Sequence, residues 1–200
     1  KETLREYAEK RSFKATPEPA AEVRAAGAGP LLFVVQQHRA TRMHIDFRME
    51  CGGVPKSWAV PKGPSLDPAD KRMAMPTEDH PYDYASFEGV VPPKEYGAGE
   101  VIVWDCGVYS PDEDGRYSFG NREEAQERIR SEFAEGKINF FLRGEKLKGS
   151  FALVRTSSDK QWLLLKHKDR FVTTGSDVLA RSRSVLSGRS LDELATSTGV

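Results

Sequence analysis

Between Met43 and Met49 the chain alternates with period two, apolar Met43, Ile45, Phe47 and Met49 interleaving with His44, Asp46 and Arg48. In a β-strand successive side chains point to opposite faces, so the first set faces a core and the second shares the other face. Just upstream, Phe33–His38 alternates as well, grouping Val34, Gln36 and His38. If Arg39–Arg42 turns the chain back as a hairpin, His38 comes beside His44 and Asp46. Imidazoles and a carboxylate suit Zn²⁺, Mn²⁺, Fe²⁺ or Ni²⁺. Three protein ligands leave positions open for water and substrate, and a neighbouring guanidinium is a fork for an oxyanion. The plainer alternative is that both histidines are ordinary surface or capping residues.

The rest of the chain places that hairpin in a β protein. Short β-like runs (LLFVVQQH, MHIDFRM, KSWAV, RMAM, GEVIVWD, INFFLR, GSFALVRT, WLLLKHK) are separated by PKGPS, DGR, RGE and SSDK, the pattern of a barrel or sandwich. One segment reads as a helix, from an Asn121 cap to a Gly136 stop, with an Ala125, Ile129, Phe133 stripe. The expected fold is mainly β: a compact β-barrel of about eight strands, one flanking helix over 121–136, and flexible N- and C-terminal tails. Residues 1–30 read as an arm with a short helix at most, 31–170 as the barrel domain, and 171–200 as a linker or tail with a short helix near Leu191–Ala195.

Composition narrows the function classes. Two isolated cysteines among 200 residues give neither a zinc ribbon nor a redox pair, and imply free thiols in a reducing, cytoplasmic setting. No apolar run approaches the roughly 20 residues of a membrane helix, and no phosphate-binding GxxxxGK[ST] loop occurs. Thirty basic residues balance thirty acidic ones, so any nucleic-acid binding must be local. Arg39, Arg42, Arg48, Lys56, Lys62, Lys71 and Arg72 gather near the histidines, and acids gather in Asp112–Asp114 and Glu123–Glu135.

A second polar row, Arg72, Glu78 and His80, shares parity if extension persists through Pro76, where a break is expected. Lys62 lies in the VPKGPS turn, and His167 reads as structural. Two rival readings use the same residues. His44, Asp46 and His80 also match the two-histidine, one-carboxylate triad of Fe(II) oxygenases. A non-catalytic nucleic-acid module would need only the basic rim.

Four blocks, FVVQQHRATRMHIDFRME, KSWAVPKGPSLDP, EDHPYDYASFEGVVP and YGAGEVIVWDCG, in this order closely resemble the 3′-phosphoesterase domain of bacterial DNA ligase D and its free-standing archaeal and bacterial relatives. The likeness runs from about Phe33 to Lys168. It implies a β-barrel with a surface groove and a Mn²⁺-dependent activity, with Co²⁺ or Zn²⁺ as substitutes, that resects DNA primer-template 3′ ends in prokaryotic non-homologous end joining. Members remove a 3′-terminal ribonucleoside by phosphodiester cleavage, then the remaining 3′-phosphate, leaving a hydroxyl. Carried over by position, the resemblance makes His38, His44 and Asp46 the metal ligands. It makes Arg48, Lys62, Arg72 and His80 the phosphate holders, with Tyr84 nearby and Gln36 and Glu78 in support, and it assigns Arg11 and Glu18 to a substrate arm. That arm reads Arg11-Ser12-Phe13, with Ser12 where the family carries aspartate, a departure that bears on the phosphodiesterase half of the activity. No KxDG adenylation sequence is present, so ligase and polymerase modules and an end-joining factor are the implied partners of a monomeric, nucleoid-associated protein.

Overall fold

Leu31–Arg39 (β1) and Met43–Cys51 (β2) form the expected hairpin, with His38 opposite His44 and Gln36 opposite Asp46. The protein is described here by a computed structural model over residues 4–23 and 27–197; of the expected arm and tail, residues 1–3, 24–26 and 198–200 lie outside the described residues. The chain continues through β3 (Val54–Val60), β4 (Lys71–Thr77), β5 (Gly89–Val91), β6 (Gly99–Pro111), β7 (Lys137–Gly144), β8 (Lys148–Arg155) and β9 (Trp162–Lys166). All neighbours are antiparallel in the order β1-β2-β3-β4-β9-β8-β7-β6, and β6 pairs back onto β1. Eight strands therefore close a barrel, and they coincide with the eight runs visible in the sequence. Closure leaves no open sheet edge in the ring. The ninth strand, β5, has only three residues and lies outside the ring on β6.

Phe33, Ile45, Phe47, Trp58, Phe140 and Phe151 fill the interior, each at most 2 % exposed. Fully burying one such side chain is worth about 1.5–3 kcal/mol. A helix α2 (Arg122–Glu135) packs onto this core through Ala125, Ile129 and Phe133. The Asn121 side chain accepts from the Glu124 amide at 3.1 Å, and Gly136 ends the helix at φ 83°, a conformation glycine adopts without strain.

Both ends of the chain add buried residues to this body. The short helix α1 (Arg5–Glu9) buries Tyr7 with Tyr84, Phe87, Val91 and Val101 on the outer side of the sheet. Helix α3 (Leu191–Ser197) buries Leu191 and Leu194 against Ile102 of β6. No helix among the described residues is long and apolar enough to cross a membrane. Cys51 and Cys106 are partly buried free thiols.

One irregularity lies beside the hairpin. The β1–β6 register shifts between Val35 and Gln36, so that Val35 opposes Asp105 but Gln36 opposes Val103. The extra residue is Trp104, so the bulge lies in β6, while the β1–β2 register runs unbroken through Gln36. Asp105, fully buried, accepts from its neighbour Cys106 and from the amides of Glu145, Lys146 and Leu147 in the β7–β8 turn, at 2.7–3.2 Å. Its carboxylate is thus the common acceptor of the bulge and the turn. Asp105→Ala leaves several buried amides without partners and is expected to cost about 3 kcal/mol or more. That corresponds to a fall in Tm of roughly 6–12 °C for a domain of this size; calorimetry showing a change under 2 °C would contradict the bridging role.

Candidate metal and phosphate site

Because His38, His44 and Asp46 project from one face of the β1–β2 hairpin, one donor atom of each lies within 4.8 Å of the others, the only such group among the described residues. Donors sharing one ion at about 2.1 Å stand roughly 3–3.5 Å apart, so small side-chain rotations complete the set. Two observations fit the residues to a metal. His44 donates from Nδ1 to the Arg42 carbonyl at 3.1 Å, which leaves Nε2 as a lone pair 3.6 Å from Asp46 Oδ1; such an outer hydrogen bond fixes the ligating tautomer. His38 Nε2 is buried with no hydrogen-bond partner, a costly condition that a coordinate bond relieves. Burial pushes the His38 imidazole below its ordinary value against the pull of Asp46, favouring the neutral, ligating form.

Arg48 continues the same face and is 2 % exposed. Its guanidinium donates from Nε to Gln36 Oε1 at 2.8 Å, from Nη2 to Asp46 Oδ2 at 3.0 Å and from Nη1 to Ser57 Oγ at 2.9 Å, and Nη1 lies 2.9 Å from His80 Nδ1. Gln36 is oriented for this because its amide nitrogen donates to the Tyr84 and Phe87 carbonyls at 2.9 and 3.1 Å. A guanidinium has five N–H groups, so one remains for a substrate oxygen. Arg48 is therefore first the scaffold joining Asp46 to His80.

His80 is 4 % exposed. Its Nδ1 sits 2.9 Å from both Arg48 Nη1 and the Glu78 carbonyl, and one nitrogen cannot accept from the first and donate to the second at once. Burial, with Arg48 and Arg11 adding to it, holds the imidazole well below its ordinary value. When Nδ1 accepts from Arg48 the proton resides on Nε2, making that nitrogen a donor. Tyr84 stacks edgewise on His80 at 4.7 Å, and the Arg48 guanidinium lies 5.0 Å from the Tyr84 ring. Burial raises the Tyr84 hydroxyl, which stays protonated.

The arm residues are turned inward. Arg11 pairs with Glu18 at 2.9 Å and with Glu78 at 3.2 Å, with side chains only 3, 1 and 7 % exposed. Lys10 reaches the other Glu78 oxygen at 3.4 Å. Glu78 thus anchors the arm two residues from His80. Arg72 departs from the expected row. Extension does persist through Pro76, which opposes Trp58, but the strand ends at Thr77, so Glu78 and His80 lie beyond its parity. Arg72 opposes the core residue Leu164 and pairs with Asp70 at 3.3 Å. Lys62 is exposed in the turn after β3.

Of the seven cations gathered near the histidines, Arg39, Arg48, Lys56 and Arg72 are paired with acids. Arg42, Lys62 and Lys71 have no acidic partner among the described residues. A cleft of about 890 Å³ lies elsewhere and is lined by Asp112, Glu113, Asp114, Glu132, Glu135 and Asp169 against Arg128, Lys137 and Lys168. Six carboxylates against three cations disfavour a phosphate there. His167 sits in that cleft with Nδ1 2.9 Å from Ser150 Oγ, and His80 is not among the donors grouped with His44 and Asp46. Ser57 and Tyr7, whose ring lies 5.2 Å from that of His80, are site residues that the sequence did not single out. Only the outward parity of Ser57 in KSWAV was available as a signal.

The depressed imidazoles set a pH dependence. In the metal-free chain His38 and His80 bind protons less readily folded than unfolded, so their contribution is intact above the unfolded value of about 6.5 and is lost as pH falls below it. In EDTA, Tm is expected to fall from pH 7.5 to 5.5, and His80→Asn to flatten that fall; an unchanged slope in the variant would contradict the assignment to His80.

The profile of the DNA ligase D 3′-phosphoesterase domain matches residues 36–155. The chain is 47 % identical over 195 residues to the multifunctional non-homologous end joining protein LigD of Pseudomonas aeruginosa, covering 94 % of this chain and 22 % of that protein. It is 38 % identical over 167 residues to the LigD proteins of Mycobacterium tuberculosis and Mycolicibacterium smegmatis, covering 84 % of this chain and 20 and 21 % of theirs. It thus spans about a fifth of the length of these curated relatives. With that profile covering the hairpin, the Arg48 network and most of the barrel, the chain belongs to the DNA ligase D 3′-phosphoesterase domain family.

Proposed function

We propose that the chain is a metal-dependent hydrolase that processes DNA 3′ ends in end-joining repair, removing a 3′-terminal ribonucleoside and then the 3′-phosphate. The observation that carries this reading is the single hydrogen-bonded network linking a metal-type donor set to a buried Arg48–His80 pair. We take residues 31–170 as the phosphoesterase module, 1–30 as its arm and 171–200 as the segment toward neighbouring modules. The substrate is a primer-template end in the prokaryotic cytoplasm. Ligase and polymerase modules and an end-joining factor act on the product.

His38, His44 and Asp46 would hold a divalent ion, Mn²⁺ in this reading with Co²⁺ or Zn²⁺ as substitutes, and that ion would supply Lewis acidity. The free N–H of Arg48 and the Nε2–H of His80 receive nonbridging oxygens, and Lys62 and Arg72 add positive charge. Tyr84 walls the imidazole. In the first reaction a water oxygen bonds to phosphorus, and the bond from phosphorus to the 5′ oxygen of the terminal nucleoside breaks. In the second, a water oxygen bonds to phosphorus as the bond to the 3′ oxygen breaks, and inorganic phosphate leaves; in both reactions the leaving oxygen takes up the proton that the attacking water gives up.

An Fe(II) oxygenase is disfavoured because His80 is not among the donors that lie within 4.8 Å of one another with His44 and Asp46. A purely binding module has no use for an orphaned, buried imidazole nitrogen. With a labelled primer-template ending in one ribonucleotide and Mn²⁺, a 3′-hydroxyl end is expected. His44→Ala is expected to abolish it, and Arg48→Lys to slow 3′-phosphate release about 10²-fold or more. Wild-type release by the His44→Ala protein would overturn the reading.

A further inference from the structure

Resting on that reading, we infer that Tyr7, in helix α1 of the arm, is a positioning residue for His80, its ring closing the back of the imidazole pocket opposite the substrate. Tyr7 is fully buried. Its ring lies 5.2 Å from that of His80 at 59° and 6.1 Å from that of Tyr84 at 83°, and the Tyr84 ring lies 4.7 Å from His80 at 66°. Three rings thus form a triangle in which the imidazole is fixed by two tyrosines, at separations typical of favourable edge contacts. The Tyr7 hydroxyl donates to the Pro19 carbonyl at 2.8 Å. Its only donor is therefore engaged within the arm, which separates Tyr7 from any direct role on phosphate.

The same turn of the arm holds His80 at a second point. The Arg11 guanidinium lies 3.9 Å from the Tyr7 ring and donates to Glu78 at 3.2 Å, and the Glu78 carbonyl lies 2.9 Å from His80 Nδ1. Since that nitrogen also faces Arg48 Nη1, a small ring rotation changes which partner it engages. Tyr7 removes the freedom to rotate. The charged and titratable groups around His80 are Arg48 from β2, Glu78 and Tyr84 from its own segment, and Tyr7, Lys10, Arg11 and Glu18 from the arm. Opening the arm side would admit water to an imidazole that is now 4 % exposed, and hydration favours the charged ring.

The test uses the full chain with Tyr7→Phe, Tyr7→Leu and Tyr7→Ala, folding being checked by circular dichroism. Tyr7→Leu keeps apolar bulk if Tyr7→Ala does not fold. The His80 ring resonance is titrated in the Zn²⁺-loaded chain, and kcat and KM for 3′-phosphate release are followed with Mn²⁺ across pH. Tyr7→Phe is expected to leave the titration unchanged and kcat within twofold. Tyr7→Leu is expected to raise the His80 midpoint by about one pH unit, to shift the acidic limb of the pH profile with it, and to lower kcat about tenfold at near-constant KM. Loss of Tm in Tyr7→Leu with an unmoved His80 titration would reduce Tyr7 to a packing residue and overturn the inference. Because the resonance is read without turnover, a wild-type chain inactive on 3′-phosphate would sink the proposed function while leaving the Tyr7–His80 coupling testable.

Discussion

A buried guanidinium governs the arrangement of this site. Taking Arg48 out of water is expensive unless every part of it is paired, and the fold satisfies it with a carboxylate, an amide oxygen, a hydroxyl and an imidazole drawn from β1, β2, β3 and the segment after β4. The carboxylate is Asp46 and the imidazole is His80. The requirement that neutralises one buried charge therefore also ties the candidate donor Asp46 to His80 through one guanidinium. Loss of one partner of such a pair typically costs about 3–5 kcal/mol, so the constellation is held by the same energy that holds the sheet together there.

Barrel closure gives that constellation a rigid base. The inner face of β2 is locked in the core by Ile45, Phe47 and Met49, so the outer residues between them cannot slip register without exposing the core. Strand parity puts Gln36 on the same face as Arg48, and its amide, held by the Tyr84 and Phe87 carbonyls, accepts from Arg48 Nε. The arm and residues 78–91 then roof the outer face, which explains why Asp46, Arg48 and His80 are each under a tenth exposed while His44 remains more open. The more open side of the candidate donor set is therefore the His44 side.

Much of this was legible in the chain. Period-two alternation in β1 and β2 named the hairpin and placed His38, His44, Asp46, Arg48 and Gln36 on one face. The eight apolar runs were the eight barrel strands, and Asn121 and Gly136 marked the ends of α2. These features are local: they follow from strand pleating, turn chemistry and helix capping within a few residues. The parity argument failed for Arg72, because alternation lapses where a strand ends, at Thr77, and no local signal marks that point more strongly than Pro76, which the strand tolerates. Asp105 and Ser57 look like ordinary strand residues until their partners are known.

By itself, then, the sequence determined that His44, Asp46 and Arg48 share one face of β2, because pleating requires nothing beyond neighbouring residues. Only the tertiary structure decided that Arg48 bridges Asp46 to His80, that Arg11 and Glu18 are buried against each other rather than presented outward, and that Tyr7 lies behind the imidazole. Those contacts join segments separated by 32 residues for Arg48 and His80 and by 67 for Arg11 and Glu78. Contacts of that range are set by barrel closure and by the need to pair charges removed from water, neither of which leaves a periodic trace in the chain.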